Sequence, residues 1–444
     1  MPQHLYVSAN RRFLVTASGQ PFFWLGDTAW ELFHRCDRDE AEHYLENRRQ
    51  KGFNVVQAVI LAELDGLRDP NPYGDLPLID GDPTRPNEAY FQHVDYVIDL
   101  AAQKDIYIGL LPTWGDKVNL QGGRGPVIFN PQNAFAYGRY LAERYRDREN
   151  IIWINGGDRH EVTDGVDYAP VFRALAAGIL SGYDLPPLIG YHPRGPGTSS
   201  THFHDDNWLS FNMWQTGHRH RELPVWDMIG GDYARTPVKP AFNGEPAYED
   251  LPVAFRSDAA YGFFDAYDVR RIAYWSVFAG GFGHTYGHNA VWQMHTDKRA
   301  GVIRPLPYTW PEAIDRPGAG QMVHLKNLML SRPFLSRIPD QSVLVSDAGT
   351  GGRRVQATRD AEGRYAFVYV PDRQSVQVQT DWLGGDRLKA WWYDPRGGTA
   401  QLIGEFQKGP NWVFSAPADG PDWVLVLDDA AAGFPAPGLA AKNE

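Results

Sequence analysis

Two hydrophobic periods alternate along the chain from residue 22 to about residue 330. Short apolar runs recur eight times, and each run ends in polar or glycine-rich residues. Parallel strands that are buried on both faces have this composition, so the runs predict eight buried strands. They are Phe22–Leu25, Asn54–Leu61, Ile106–Leu111, Ile151–Ile154, Pro187–Tyr191, Leu209–Trp214, Pro240–Asn243 and Phe282–Tyr286.

Helical patterns lie between these runs. Asn130 and Pro131 are a helix cap and a first helical position, and apolar residues then recur at helical spacing up to Tyr145. Around Trp226–Ile229 the pattern is too weak to predict an element. Eight strands with intervening helices predict a (β/α)₈ barrel, or TIM barrel, over residues 21–335. Residues 1–20 predict a β-hairpin that packs on the barrel.

The pattern changes after Pro339, where helix-length periods stop. Short alternating strands separated by turn residues follow, and they predict an all-β sandwich over residues 340–430. The remaining residues 431–444 are rich in Ala, Gly and Pro, which predicts a disordered tail.

Composition excludes several classes of protein. With 43% hydrophobic and 22% charged residues the chain is globular, and its net charge of −11 without a basic run argues against a nucleic-acid partner. A single cysteine, Cys36, excludes an internal disulfide and a cysteine-built zinc site. No apolar run approaches the ~20 residues that span a bilayer, so no membrane partner is expected. The N-terminal residues lack a signal-peptide pattern, which predicts a cytoplasmic chain, or a secreted or periplasmic one whose leader was removed.

Two carboxyl groups stand at matching places in the predicted barrel. Asp158 follows the fourth strand and Glu245 follows the seventh, and glycines precede both. Barrel enzymes that cut glycosidic bonds with retention use carboxyl groups at these two strand ends, one as acid and one as nucleophile. Alone, Asp158 could cap a helix and Glu245 could form a salt bridge. Their joint placement favours catalysis.

Four long motifs carry a family resemblance. They are FFWLGDTAWELFHR (22–35), NIIWINGGD (150–158), NGEPAYE (243–249) and YDVRRIAYWSVFAGGFGHTYGHNAVW (267–292). The chain resembles the apiosidase-like glycoside hydrolases of family 140 over its whole length, including a C-terminal β domain that carries a collagen-binding label.

The resemblance implies Asp158 as general acid/base and Glu245 as nucleophile of a retaining exo-glycosidase. It further implies β-D-apiofuranose from the rhamnogalacturonan II side chains of pectin as the sugar. The acid is Asp here, whereas the commonest barrel glycosidases present Asn-Glu after the fourth strand.

Other polar and aromatic residues near the strand ends are candidates for binding the sugar, through hydroxyl hydrogen bonds and ring stacking. They are Asp27, Trp30, Trp114, Asp116, Asn155, Arg159, His192, Asn212, Trp214, His284, Tyr286 and His288. The alternative for each is a turn cap, a core residue or a satisfied loop histidine. Lys117, Arg159 and Arg194 are candidate cations for uronate neighbours of the sugar.

Two His-x-His pairs, at 202/204 and 218/220, could suggest a metal site, but no carboxylate completes a ligand set. We therefore expect no metal, and nothing in the sequence implies a cofactor or an obligate protein partner. The expected substrate is an oligosaccharide or polysaccharide. Two alternatives stay open. One is another specificity on the same barrel, arabinofuranosidase or endo-acting, and the other is a non-catalytic carbohydrate-binding protein.

Overall fold

A barrel of eight parallel strands forms the first three quarters of the chain. The structure is a computed structural model and describes residues 2–256, 258 and 260–439. The barrel strands are, in chain order, Trp24–Thr28, Val55–Leu61, Tyr107–Thr113, Ile151–Gly156, Ile189–His192, Asn212–Gln215, Ala241–Glu245 and Gly283–Tyr286. Each lies within a few residues of a run that the sequence analysis predicted, and the predicted fold class is confirmed.

The barrel is nearly closed. The eighth strand pairs in parallel with both the seventh and the first, so the sheet returns to its start. Only the fifth and sixth strands lack a ladder, and there Ser210 joins them, since its N–H donates to the Ile189 carbonyl at 2.8 Å. The short strand Gly197–Thr198 pairs antiparallel with the sixth strand at this opening.

Helices cover the outside of the barrel. Several begin at the caps that the sequence indicates, such as Asn130, whose side chain accepts from the Asn133 N–H. The helix Val225–Tyr233 lies where the pattern was too weak to predict one, because Gly230 and Gly231 interrupt its apolar period. The α-helices are Leu32–Arg35, Arg38–Gln50, Glu88–Gln103, Pro131–Tyr145, Ala169–Ser181, Ser200–Phe203, Val225–Tyr233, Ala266–Phe278, Asn289–Trp292, Trp310–Ala313 and Pro317–Leu330.

Aromatic side chains fill the interior of the barrel. Trp24, from the first strand, contacts Phe242 with ring centroids 4.9 Å apart, and Phe242 contacts Phe282 at 4.8 Å. All three side chains are completely buried. The interior is therefore a packed core, and substrate can be bound only at the ends of the strands.

The C-terminal part is all β. Strands Arg337–Pro339, Gln356–Asp360, Tyr365–Pro371, Arg387–Tyr393, Ala400–Gln407 and Asp422–Asp429 form one six-stranded sheet. Strands Ser375–Val378 and Trp412–Ser415 form a second, two-stranded sheet. Their facing side chains, among them Val368, Phe414 and Leu425, form one hydrophobic cluster, as the predicted sandwich requires.

The barrel and the β domain share a buried junction. Arg270 from the barrel pairs with Asp422 at 2.6 Å, and Arg332 pairs with Asp428 at 2.8 Å. The Tyr274 and Tyr369 rings stack across the same surface with centroids 5.0 Å apart. These contacts make the two parts one packed body.

The first and last described segments of the chain pack on this body. Strands Leu5–Val7, Leu14–Thr16 and Pro21–Phe22 form a small antiparallel sheet, which contains the expected hairpin. Phe434 lies under Arg332, whose guanidinium carbon is 4.7 Å from the ring centroid. Within the segment expected to be a disordered tail, Phe434 also contacts Tyr365, and the Pro435 carbonyl accepts from Arg332 at 2.9 Å. Residues 440–444 of that segment lie outside the described residues. None of the described helices is long and apolar enough to cross a membrane.

Candidate active site

A cavity of about 260 Å³ opens at the carboxyl ends of the barrel strands. Both predicted catalytic carboxyls, Asp158 and Glu245, line it, as do the predicted Trp30 and Trp114. Residues from the surrounding loops complete the wall: Glu63, Arg194, Gln215, Thr216, His218, Arg219, Tyr248, Leu251, Phe255, Trp292, Val302 and Ile303. The cavity thus lies on the face where barrel enzymes carry their sites.

The backbone that presents Asp158 is sharply bent. Gly156, Gly157 and Asp158 have φ values of +92°, +125° and +50°, a region that glycine adopts at little cost. A Cβ on Gly157 would lie 2.5 Å from the backbone N of Gly115, which donates to the Gly157 carbonyl at 3.0 Å. The two glycines are therefore needed to place Asp158 at the cavity.

Glu245 is the last residue of the seventh barrel strand and is held by two histidines. His192 Nε2 lies 2.6 Å from Glu245 Oε2, and His218 Nε2 lies 3.1 Å from Oε1. The Asp158 N–H donates to His192 Nδ1 at 3.3 Å, so the proton of the neutral ring is on Nε2 and points at Glu245. His192 thereby links the two carboxyls through its own ring.

The two carboxyl groups have opposite proton affinities. Burial alone would raise the pKa of Glu245, but hydrogen bonds from His192 and His218, together with the electrostatic attraction of these two side chains, outweigh burial and lower the pKa to about 2. Burial raises the pKa of Asp158, and the nearby negative charge of Glu245 raises it further, against the opposing effect of Arg159. The cavity therefore gives Asp158 a higher affinity for a proton than Glu245.

Aromatic side chains form one side of the cavity. The Trp30 and Trp114 rings have centroids 5.2 Å apart, and both contact the His192 ring at 5.3 Å. Trp30 Nε1 donates to the Tyr248 hydroxyl at 3.2 Å. Rigid, fully packed rings of this kind suit the apolar face of a sugar.

Two further predicted residues contact the carboxyl groups without lining the cavity. His192 is completely buried, and its two ring nitrogens contact Glu245 and the Asp158 backbone. Arg159 lies 3.1 Å from Asp158 and 3.4 Å from Glu63. Both residues act on the carboxyl groups rather than on the opening of the cavity.

The remaining predicted binding residues are not brought into the cavity. Asp27 pairs with Arg48 at 2.8 Å, and Asp116 pairs with Lys117 at 2.7 Å, with all four side chains fully buried. Lys117 is therefore unavailable as the rim cation that the sequence analysis considered, because Asp116 and the Ala62 carbonyl hold it.

The other predicted groups serve neighbouring loops and helices. Each has a partner or a packed environment outside the cavity: Asn155 donates to the Phe172 carbonyl, Asn212 contacts His204, Tyr286 donates to Glu249, His288 contacts Asp250, and Trp214 packs half-buried against the core. His284 is buried, and burial lowers its pKa to about 3. These residues therefore lie in the positions expected of turn caps, core residues and hydrogen-bonded loop histidines, the alternatives to sugar binding.

Several residues that line the cavity were not predicted from the sequence as binding residues. Glu63 and Phe255 come from loops, where no period or strand end marks a side chain as inward-facing. Tyr248 stood in the motif NGEPAYE and could have been chosen from its distance to Glu245. His218 was considered only as half of a metal pair. Within the described residues, no group of three or more His, Cys, Asp or Glu side chains is arranged to hold a metal ion.

Comparison with known proteins identifies the family. A family model described as "Apiosidase-like, catalytic domain" matches residues 8–336. The chain belongs to the apiosidase-like glycoside hydrolases. A second model, described as "Putative collagen-binding domain of a collagenase", matches residues 338–428, the β domain.

Solved structures agree with this membership. The apiosidase-like chain is 37% identical to a structure named glycoside hydrolase, with 97% of each chain covered and a TM-score of 0.88. It is 38% identical to a family 5 glycoside hydrolase from Bacteroides vulgatus, covering 96% of this chain and 93% of that one, with a TM-score of 0.88. A further glycoside hydrolase structure from Bacteroides vulgatus, at 15% identity and a TM-score of 0.68, shares the fold. The comparison with curated proteins gave no match. This apiosidase-like protein is thus a hydrolase of glycosidic bonds.

Proposed function

We propose that this glycoside hydrolase removes a terminal sugar with retention of anomeric configuration, using Asp158 as general acid/base and Glu245 as nucleophile. The observation that carries the proposal is the opposite shift of the two pKa values within one cavity. A retaining enzyme needs one protonated and one ionised carboxyl group at the same time.

The first step of the proposed reaction breaks the glycosidic bond. Asp158 gives its proton to the glycosidic oxygen while a carboxylate oxygen of Glu245 attacks the anomeric carbon, so an ester forms as the leaving group departs as an alcohol. In the second step Asp158, now ionised, takes a proton from water, and the water oxygen displaces Glu245. One water is consumed, and both carboxyl groups return to their starting states.

Two features support this assignment of roles. Glu245 is 7% exposed and accepts hydrogen bonds from two histidines, which orient one oxygen lone pair and hold the charge. Asp158 is 31% exposed, so its proton can reach a leaving group that extends toward solvent. The negative charge of Glu245 also raises the pKa of Asp158, so the two carboxyl groups act on each other within the cavity.

The size of the cavity supports exo action. Its volume of about 260 Å³ lies just below the ~300–1,000 Å³ that ligand pockets usually span. Loops after the second, seventh and eighth strands supply Glu63, Phe255 and Ile303 to its wall. Such a walled cavity suits one terminal sugar ring better than the middle of a polysaccharide.

For the sugar itself we propose a terminal β-D-apiofuranoside on an acidic pectic chain. The family match supports the sugar. Arg194 and Arg219 line the cavity and supply cations for uronate neighbours, the role for which Lys117 is too deeply buried. Arginine pairs carboxylates in a two-pronged geometry, which makes these two side chains suitable contacts.

Incubation with rhamnogalacturonan II fragments, followed by chromatography of the released monosaccharide, tests the sugar. Apiose is the expected product. Release of arabinose would favour the arabinofuranosidase alternative, and release of an oligosaccharide would favour the endo-acting one; either result would overturn the substrate. In the same assay Arg194→Ala should slow the uronate-bearing fragment several-fold more than a neutral aryl apioside, and equal effects on both would remove the proposed uronate contact.

A further inference from the structure

The cavity holds a third carboxyl group that the mechanism above does not use. Glu63 lies two residues beyond the second barrel strand and lines the same cavity as Asp158 and Glu245. Its side chain is 23% exposed. A carboxyl group so placed is costly unless it is paired or protonated, so its partners decide what it does.

Two fully buried charged side chains fix the backbone around Glu63. The Lys117 ammonium donates to the Ala62 carbonyl at 2.7 Å, and the Leu64 N–H donates to Glu31 Oε1 at 3.0 Å. Lys117 and Glu31 have no exposed side-chain surface. Glu63 is therefore held from both sides by buried charges, which is the kind of support that a positioned functional group needs.

One guanidinium group serves two carboxyl groups. Arg159 Nη1 lies 3.1 Å from Asp158 Oδ2, and Nη2 lies 3.4 Å from Glu63 Oε1. Arg159 itself is only 6% exposed. A single positive charge can balance one of the two carboxylates, so the second carboxyl group favours its protonated form.

The other charged groups near this trio have partners of their own. They are Asp116 with Lys117 at 2.7 Å, Glu31 with His34 at 2.6 Å and with Arg35 at 3.7 Å, Asp65 with Arg68 at 2.8 Å, and Glu245 with His192 and His218. Arg194 also faces Asp158, where it opposes the rise in the pKa of that carboxyl group, and it donates to the Gln121 side chain. Glu63 and Asp158 thus compete for Arg159.

We propose that Glu63 is a positioning residue for the acid: by sharing Arg159 with Asp158, it keeps one proton on this pair of carboxyl groups at neutral pH. The inference rests on the proposed role of Asp158 and adds a residue to it. The pKa of each member is raised above its ordinary value against the opposing effect of Arg159. Burial and the charges of Asp158, Asp116 and Glu31 raise the pKa of Glu63, and burial and the charge of Glu245 raise that of Asp158. Two carboxyl groups coupled in this way titrate as a pair.

The substitution Glu63→Gln removes the competitor while keeping the shape of the side chain. Arg159 should then pair with Asp158 alone, so Asp158 should lose its proton at lower pH. We expect the alkaline limb of kcat/KM to move down by roughly one pH unit or more. At neutral pH the variant should lose kcat/KM on methyl β-D-apiofuranoside, whose leaving group needs a proton. It should keep kcat/KM on 4-nitrophenyl β-D-apiofuranoside, whose leaving group does not.

Two further variants act as controls. Glu63→Asp keeps a carboxyl group and should restore part of the pH profile. Asp65→Asn removes a negative charge from the same turn, but Asp65 pairs with Arg68 rather than Arg159, so the profile should stay that of the unaltered enzyme. Equal loss in Glu63→Gln on both substrates at every pH would show a merely structural role and overturn the inference.

A substrate-free measurement separates this inference from the proposed function. Aspartate carrying ¹³C in its carboxyl group reports each titration by NMR, and Asp158→Asn identifies the Asp158 signal. The Asp158 midpoint should fall in Glu63→Gln and stay in place in Asp65→Asn; an unmoved midpoint in Glu63→Gln overturns the role of Glu63. If Asp158→Asn shows no dependence on the leaving group, the acid role of Asp158 fails instead, whatever the NMR midpoint does.

Discussion

The domain junction and the cavity both contain buried charged side chains, but these side chains are paired differently in the two regions. At the junction, Arg270 and Arg332 each pair with a carboxylate of their own: Arg332 binds both oxygens of Asp428 at 2.9 and 2.8 Å. In the cavity, Asp158 and Glu63 share Arg159, while Glu245 is held by hydrogen bonds from histidines. The two junction pairs thus have one cation for each carboxylate, whereas Asp158 and Glu63 have one guanidinium group between them.

That difference separates structural from chemical use of the same side chains. A buried pair with two short parallel hydrogen bonds holds both side chains in one geometry, so it fixes the position of one domain against the other. Carboxyl groups that lack individual cations differ in their affinity for protons, and such differences drive acid–base catalysis. Burial alone therefore identifies neither kind of site, whereas the pairing pattern does.

The largest effect should come from Glu245→Gln. The amide keeps the hydrogen bonds from His192 but cannot attack the anomeric carbon, so turnover should fall by roughly 10⁴-fold or more on every substrate. Steady-state kinetics with a natural fragment and with an aryl glycoside measure the fall. Retention of substantial activity on either substrate would exclude Glu245 as nucleophile.

A smaller and more selective effect should follow from Asp158→Ala. Loss of a general acid costs about 10²–10⁴-fold where the leaving group needs a proton, and much less where it does not. Azide, which needs no general base, should partly restore turnover of the aryl glycoside. Equal losses on activated and natural substrates would contradict the assignment.

At the junction, a substitution should change stability and leave chemistry alone. Arg332→Ala leaves Asp428 buried without its cation, which should lower the free energy of unfolding by about 3–5 kcal/mol. Thermal unfolding measures the loss, and kcat/KM per folded molecule should stay at the level of the unaltered enzyme. If activity falls in step with Asp158→Ala instead, the two regions are not separate in function.

The smallest effect should come from an exposed pair. Arg139 and Glu143 lie one helical turn apart at 2.7 Å, with about half of each side chain in solvent. Glu143→Gln should change the free energy of unfolding by roughly 0.5 kcal/mol or less, because water screens such pairs. A loss as large as that of Arg332→Ala would mean that burial does not set the value of these pairs.

The barrel and the two carboxyl groups that we propose as catalytic could be located in the sequence for one physical reason. Strands buried on both faces form continuous apolar runs, so their ends could be located to within a few residues, and Asp158 and Glu245 follow two of those ends. The same rule also selected Asp27 and Asn155, which turn away from the cavity. Side chains alternate between the two faces of a strand, so a polar residue at a strand end has no fixed direction without the exact register.

The sequence could not predict which charged residues pair with each other in the folded chain. Glu63 and Arg159 are 96 residues apart, and Arg270 and Asp422 are 152 residues apart. Nothing local distinguishes a carboxylate with its own cation from one that shares a cation. For the same reason the tail around Phe434 was expected to be disordered, since its contact with Arg332 depends on the assembled junction.

The stereochemistry of the first-formed sugar is the most direct test of Glu245 as the nucleophile. Attack by Glu245 on the anomeric carbon requires two successive displacements and hence retention, whereas an ionised Glu245 that activated a water would give inversion. Proton NMR spectra should be collected within the first minutes of hydrolysis of an aryl glycoside, before mutarotation mixes the anomers. With Glu245 as nucleophile, the first anomer to accumulate should have the configuration of the substrate. Accumulation of the opposite anomer would contradict this role.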